Sequence, residues 1–329
     1  MKLVLTGCSG YIGSAYLQRL LADTEHQVVG VDRVVPARPS EGRFQFVQCD
    51  LSQPNQKLSD AVFHGSDLVV HLAAARGDWA ISKEEYWRDN LAATKGLLAA
   101  PWAPQAKCWV FTSSVSVYGP AEHPLAEDAR CQPIGPYGES KLASERLVEH
   151  FVRVQGLQGR AIRPSAVFSP GHPTNTNVYK LIESMRRFPL PLIGGGLNRK
   201  TLTYLPNLMD LLDWCGLRMA QSSDGPWQAY NYVEEPVQTV SDLISTLRAA
   251  GIRPARSINV PMGMALAGAY PVFALAKLLR KDLRITPERV RKYASSTWYD
   301  AARVRQAGFV PRVSLAEALR LTAAWHLAR

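Results

Sequence analysis

Lys2-Leu3-Val4-Leu5-Thr6-Gly7-Cys8-Ser9-Gly10-Tyr11-Ile12-Gly13 is the stretch whose reading decides the fold. Lys2 to Leu5 is an apolar run long enough for a buried strand and too short for a helix. Gly7, Gly10 and Gly13 follow at G-x-x-G-x-x-G spacing, and Ser14 to Leu21 carries apolar residues at helical intervals. In such a turn Gly7 permits the tight bend, Gly10 lets backbone approach a pyrophosphate, and Gly13 lets helix lie close to strand. The helix N-terminus then offers unpaired N–H groups and a positive dipole end to a diphosphate. A glycine triplet alone says little. Here a strand precedes it, a helix follows, and Asp32 ends the next apolar strand, Gln27 to Asp32, about twenty residues on. Its carboxylate suits the adenosine ribose hydroxyls. Asp32 favours NAD, and Arg33 beside it leaves NADP open.

Beyond this unit, short apolar strands alternate with helix-length segments: Phe44 to Gln48, Asp67 to Ala75, a helix over Glu84 to Ala100 with Asn90 inside it, and Cys108 to Thr112. The alternation predicts an α/β fold, a doubly wound parallel sheet with ligands at the carboxyl ends of its strands. Asp50, with Leu51 after it, stands where the adenine edge would lie. The small residues after Leu72 (Ala73, Ala74) would let backbone lie against a cofactor. A smaller, discontinuous C-terminal substrate domain is expected. The proposed division is 1–170 for the dinucleotide and catalytic residues and 171–329 mainly for the substrate, with segments around 200–232 returning to the first.

Composition narrows the class. At 329 residues, 47% hydrophobic and 20% charged, the chain has the profile of an ordinary globular protein. No secretory leader and no spanning apolar run is read; Ala265 to Leu279 is the nearest and holds Pro271 and Lys277. Five scattered cysteines, none in a C-x-x-C pair, argue for a reducing compartment, the cytoplasm by default, and against a metal site. Residues 1–150 hold 14 Lys and Arg against 17 Asp and Glu, and residues 151–329 hold 24 against 11, so the halves carry −3 and +13. A basic second half suits an anionic, phosphate-bearing substrate. Its dispersed charges lack a nucleic-acid motif, so no nucleic-acid partner is expected. Over 265–292 a hydrophobic stretch runs into Arg280, Lys281, Arg284, Arg289, Arg291 and Lys292, which leaves peripheral contact with an anionic membrane open.

A second constellation carries the chemistry. Ser114 follows the strand Cys108 to Thr112, and Tyr137-Gly138-Glu139-Ser140-Lys141 opens a helix. At that spacing Tyr137 and Lys141 project from one face. A free phenol has a pKa of about 10, and a neighbouring ammonium with a cationic nicotinamide favours its ionised form. Ser114 can hold the substrate oxygen whose proton Tyr137 moves, which is acid–base chemistry coupled to hydride transfer.

Together these motifs resemble the extended short-chain dehydrogenase/reductase family, whose members include sugar-nucleotide epimerases, dehydratases and reductases. The likeness rests on TGCSGYIG, Asp32, Asp50-Leu51, His71-Leu72-Ala73-Ala74, Asn90, TSSVSVYG around Ser114, YGESK around Tyr137 and Lys141, and Arg163-Pro164. It implies a Rossmann fold and a cofactor site of Gly7, Gly10, Tyr11, Ile12, Gly13, Asp32, Arg33, Asp50, Leu51, Leu72, Ala73, Ala74, Asn90, Tyr137, Lys141 and Pro164. The segments from Asn177 to Leu192, Gly194 to Arg199 and Leu202 to Leu208 are similar to the substrate region of 4-epimerases and 4-keto reductases. That implies a substrate side of Ser114, Val115, Ser116, Asn177, Leu192 and Arg199, with Asn177 and Arg199 on the diphosphate. Dehydratases carry an Asp-Glu pair where this chain has Val115 and Ser116, and 3,5-epimerases carry a cysteine there, so neither reaction is expected. What remains is redox at one secondary alcohol or ketone, at C4 of a nucleotide diphosphate sugar. The lack of an Arg-x-Gly-Asp-like segment leans toward a reductase over an epimerase. Ile285 to Val290, Trp298 to Asp300 and Gly308 to Pro311 also resemble 3β-hydroxysteroid dehydrogenases, which supplies the alternative of an apolar ketone. Relatives that pair through a four-helix bundle imply a homodimer through Leu91–Ala100 and Leu142–Val152.

Overall fold

Apolar runs without alternation need cover on both faces, and the sheet at the centre of the computed structural model provides it. Its strands are β1 (Lys2–Thr6), β2 (Gln27–Asp32), β3 (Phe44–Gln48), β4 (Leu68–His71), β5 (Cys108–Thr112), β6 (Gln158–Pro164) and β7 (Trp227–Tyr232). They lie in the order 3-2-1-4-5-6-7, all parallel. Every residue of β4 and β5 is buried. The structure describes residues 1–37, 40–53, 58, 63–76, 81–171, 173–187, 189–221, 225–253, 257–278 and 286–329.

Helices cover both faces. On one, Tyr16 and Leu20 of α1 (Tyr11–Asp23) share a core with Leu208, Leu212 and Cys215 of a later helix, Leu205–Gln221. On the other, α2 (Lys83–Tyr86) runs through a π-helical segment, Trp87–Ala92, into α3 (Ala93–Leu98). There Leu97 joins Trp102, Trp109, and Val148 and Val152 of α4 (Pro136–Val154). A third core lies outside the sheet and gathers α5 (Asn177–Arg187), α7 (Val240–Ala249) and the last helix, Leu315–Leu327, around Ile182, Met185, Leu243, Leu247 and Leu319. The helix Leu205–Gln221, α6, and β7 return from that region to the sheet, where β7 pairs with β6.

Several boundaries differ from the sequence reading. The first helix starts at Tyr11 rather than Ser14, because the Ser14 N–H already donates to the Gly10 carbonyl at 2.8 Å and Gly13 lies inside the first turn. Strand β4 ends at His71, after which the Ala73 N–H turns to the Thr6 hydroxyl at 3.2 Å instead of continuing the ladder. The helix expected over Glu84 to Ala100 is the composite with the π segment. Ala121–Leu125 forms an unanticipated strand in a small sheet with Thr297–Tyr299, Arg199–Lys200 and Gln238–Thr239. Its sequence, AEHPL, shows neither alternation nor β-branched residues, and only its distant partner makes it a strand.

The β1–α1 turn leaves no room for a methyl group. Gly7 sits at φ +73°, and a Cβ there would fall 2.6 Å from the Ala73 nitrogen. A Cβ on Gly13 would fall 2.0 Å from the Gly7 carbonyl oxygen. Gly13→Ala is therefore expected to destabilise by at least about 2 kcal/mol, read as a lowered midpoint in thermal unfolding. Gly263→Ala, where a Cβ meets nothing within 4 Å, should be neutral or slightly stabilising.

Candidate active site

The carboxyl ends of the parallel strands bring the expected residues to one edge. The Gly7 N–H donates to the Val31 carbonyl at 2.8 Å and locks the glycine turn to β2. Asp32 accepts from the Ser9 N–H and the Val34 N–H, each at 3.0 Å, which fixes its carboxylate above that turn. A groove of about 260 Å³ opens there, lined among others by Gly10, Asp32, Arg33, Asp50, Leu51 and Ala73. Asp50 turns one oxygen to the Ser52 N–H and hydroxyl, at 2.9 and 2.7 Å. Arg33 pairs with Asp89 at 3.0 Å, and Asp89 also binds Arg88 at 2.6 Å. Burial works against the Asp89 carboxylate, but the two guanidiniums win and hold it below its ordinary range. Asp89 lines the same groove and went unnoticed in the sequence, since no motif marks it.

No side chain caps the start of α1, so the first N–H groups of that helix stay available beside Gly10. With the Asp32 carboxylate on the same groove, this donor set fits the diphosphate and ribose of a dinucleotide. The Tyr11 hydroxyl is engaged elsewhere: it meets the Ser169 hydroxyl at 2.7 Å, and burial pushes it up to about 12.

Asn90 is not on the groove surface but at the centre of a buried network. Its Oδ1 accepts from the Ala75 N–H at 2.7 Å, and its Nδ2 donates to the Ser140 hydroxyl at 2.8 Å. Ser140 in turn donates to the Tyr137 carbonyl at 2.9 Å. The Asn90 carbonyl accepts from Thr94, whose hydroxyl meets His71 Nε2 at 3.0 Å, while His71 Nδ1 meets Thr6 at 2.6 Å. Burial, helped by Lys141, lowers His71 to about 3 and keeps it neutral. Since Thr94 donates to Asn90, it accepts from His71, so the proton sits on Nε2 and Thr6 donates to Nδ1. His71 is structural, and the loop Leu72, Ala73, Ala74 is held by this chain.

Ser114 follows β5 and caps a short turn, Val115–Val117, with its hydroxyl 3.1 Å from the Ser116 hydroxyl. Gly138 lets the catalytic helix α4 approach that turn, because a Cβ there would lie 2.5 Å from the Ser116 carbonyl oxygen. Val115 is buried in the core, and its aliphatic side chain carries no proton to move. Tyr137 is half-buried and packs its ring against Tyr86 at 5.7 Å between centroids. Lys141 is buried, donates to the Thr112 carbonyl at 2.5 Å and stands 4.4 Å over the Phe111 ring. Burial lowers it to about 7, and Glu145 opposes that shift. Glu145, one turn further on, forms a buried pair with Arg163, which also reaches the Tyr118 hydroxyl. Both were unassigned as a pair, although the i, i+4 spacing of Lys141 and Glu145 was legible.

Of the expected substrate residues, Ser114, Val115 and Ser116 lie at this edge, whereas Asn177, Leu192 and Arg199 lie around the third core and the small sheet. Asn177 is exposed at the start of α5, and Leu192 belongs to the strand Leu190–Ile193. Arg199 donates to the Val237 carbonyl at 3.0 Å and stacks 4.4 Å over Trp298. Pro164 ends β6 opposite Tyr232. Ile285, Arg280, Lys281 and Arg284 lie outside the described residues.

A glycine-turn dinucleotide groove beside a Ser, Tyr and Lys set defines the class: a nicotinamide-dependent oxidoreductase on a Rossmann fold. The chain belongs to the NAD dependent epimerase/dehydratase family, whose model matches residues 3–231, and NAD is its cofactor. It is 27% identical over 323 residues to N-acetyl-alpha-D-glucosaminyl-diphospho-ditrans,octacis-undecaprenol 4-epimerase of Escherichia coli O157:H7, covering 98% of this chain and 94% of that one. It is 30% identical over 337 residues to 2-alkyl-3-oxoalkanoate reductase of Stenotrophomonas maltophilia (strain K279a), covering 97% and 98%. The crystal structure of UDP-glucuronic acid 4-epimerase from Bacillus cereus in complex with NAD shares the fold at a TM-score of 0.76 and 22% identity, covering 100% of both chains.

Because burial lowers Lys141 to about 7, the folded chain binds fewer protons there than the unfolded chain between pH 7 and the ordinary lysine range. This difference raises stability as pH climbs through this window. Lys141→Met should remove it, so wild type should gain on the variant by up to about 1.4 kcal/mol per pH unit in urea unfolding without cofactor.

Proposed function

We propose that this chain is a sugar 4-epimerase: it oxidises and re-reduces C4 of a sugar carried on a diphosphate, with Tyr137 as acid–base residue. The observation that carries the reading is the convergence of Ser114, Tyr137 and buried Lys141 with the glycine turn at one sheet edge. NAD, when bound, supplies a reversible hydride acceptor. The Ser114 hydroxyl holds the C4 oxygen, Tyr137 removes its proton and later returns it, and Lys141 supports the charge on Tyr137 from its anchor on Thr112. Arg199 and Asn177 hold the diphosphate while the sugar ring turns, and Asn90 keeps the cofactor loop and the catalytic helix in register.

The diphosphate is favoured by the +13 charge of residues 151–329, which an apolar ketone would not require. Two of the similar proteins act, by their names, at C4 of sugars, one on a UDP-linked acid and one on an undecaprenol-linked amino sugar. Either carrier supplies the same diphosphate to Arg199. The alternative of a steroid-like ketone is not favoured. All five cysteines are free, which supports a cytoplasmic location. A homodimer through Leu91–Ala100 and Leu142–Val152 would use their outer faces, since Leu97, Val148 and Val152 are buried against the sheet.

Tyr137→Phe should leave NAD affinity unchanged by calorimetry while turnover falls about 10²–10⁴-fold. Near-native turnover would remove Tyr137 from this role. Asp32→Ala should weaken NAD more than NADP, and an unchanged preference would count against the ribose contact. A product assay of 4-epimers from UDP-sugars and polyprenyl-diphosphate sugars identifies the carrier.

A further inference from the structure

The second half of the chain ends its substrate region in an apolar helix with no polar face. This helix, α8 (Met262–Leu278), has the sequence MGMALAGAYPVFALAKL, whose one charge is Lys277. Its 17 residues extend about 25 Å. Among the described residues, no helix is long and apolar enough to cross a membrane. Met264 is 68% exposed, Tyr270 52% and Phe273 44%, with Ile258 just before the helix at 49%. Over 262–274 its less exposed residues, Ala265, Leu266, Ala269 and Val272, fall on one stripe, and exposed residues occupy the rest of the circumference.

The polar side of this unit comes from the next helix, α9 (Pro287–Ala294), which packs on α8. Arg291 donates to the Tyr270 hydroxyl at 3.1 Å, and Arg291 and Lys292 are exposed. Residues 257–294 carry seven Lys and Arg against two Asp and Glu. The exposed apolar residues of α8 beside the exposed Arg291 and Lys292 complement a bilayer with anionic headgroups.

Both helices are wired to the substrate segment. Ser257–Val260, which leads into α8, pairs in parallel with Leu190–Ile193. Behind α9, the Tyr293 carbonyl accepts from Asn198 at 2.9 Å and the Ser295 carbonyl accepts from Lys200 at 2.7 Å. These contacts flank Leu192 and Arg199.

We propose that α8 and α9 dock the chain on an anionic phospholipid bilayer, with α8 lying in the headgroup region and Arg199 turned to a sugar diphosphate held by a lipid. The second clause rests on the function proposed above; the docking stands without it.

The full chain is sedimented with phosphatidylcholine vesicles, with and without roughly one-third phosphatidylglycerol. Wild type should pellet with the anionic vesicles and be released by high salt. Met264→Asp with Phe273→Asp should lower vesicle affinity about a hundredfold, at about tenfold per lost apolar side chain, while NAD affinity stays unchanged. Arg291→Glu with Lys292→Glu should abolish the preference for anionic lipid. Wild type remaining in the supernatant with both vesicles overturns the proposal, as does equal pelleting of the aspartate variant. A dimer that the aspartates dissolve, without vesicle binding, also overturns it and assigns the face to a second copy. Vesicle binding together with no 4-epimer from any sugar diphosphate supports the docking and rejects only the reaction.

Discussion

The buried side-chain amide of Asn90 is the interaction on which the site depends. It spends its acceptor on the loop that walls the cofactor groove and its donor on the serine one turn from Tyr137. A buried amide with both ends satisfied is rigid, and removing either partner would strand a polar group at a cost of about 1–3 kcal/mol. The π-helical segment Trp87–Ala92 places that amide, because its widened turn moves Asn90 out of the regular helical register. Through Thr94, a neutral His71 and Thr6, the same network reaches the end of β1. Glycine turn, cofactor loop and catalytic helix are therefore one hydrogen-bonded body.

Electrostatics act on that body from below. Lys141 is deprived of water and given only a carbonyl and a ring face, so its amine is poised near neutrality rather than fully charged. Glu145 is close enough to oppose this but is itself committed to Arg163. The pair tethers α4 to the end of β6 and limits how far Glu145 restores the lysine charge. A bound cofactor and substrate would enter a site where burial has already lowered the proton affinity of Lys141.

The region around the third core is built differently. Its core is separate from the sheet, its polar residues are more exposed, and Arg199 rests on a carbonyl and an indole.

From the residues alone, the strand–glycine–helix unit, Asp32 and the Ser114, Tyr137 and Lys141 set were legible, because each needs a residue type at a fixed local spacing. The same logic read the parallel sheet from buried apolar runs. Other features depended on partners far away in the chain. Ala121–Leu125 becomes a strand only beside Thr297–Tyr299, and Asp89 meets Arg33 across the groove only in the folded chain. Asn90 was read as a cofactor residue, yet folding turned its amide inward, since a buried helix cannot leave that group unpaired. Local spacing determined which chemistry the chain carries; three-dimensional packing decided which side chains face the ligand and which hold the others in place.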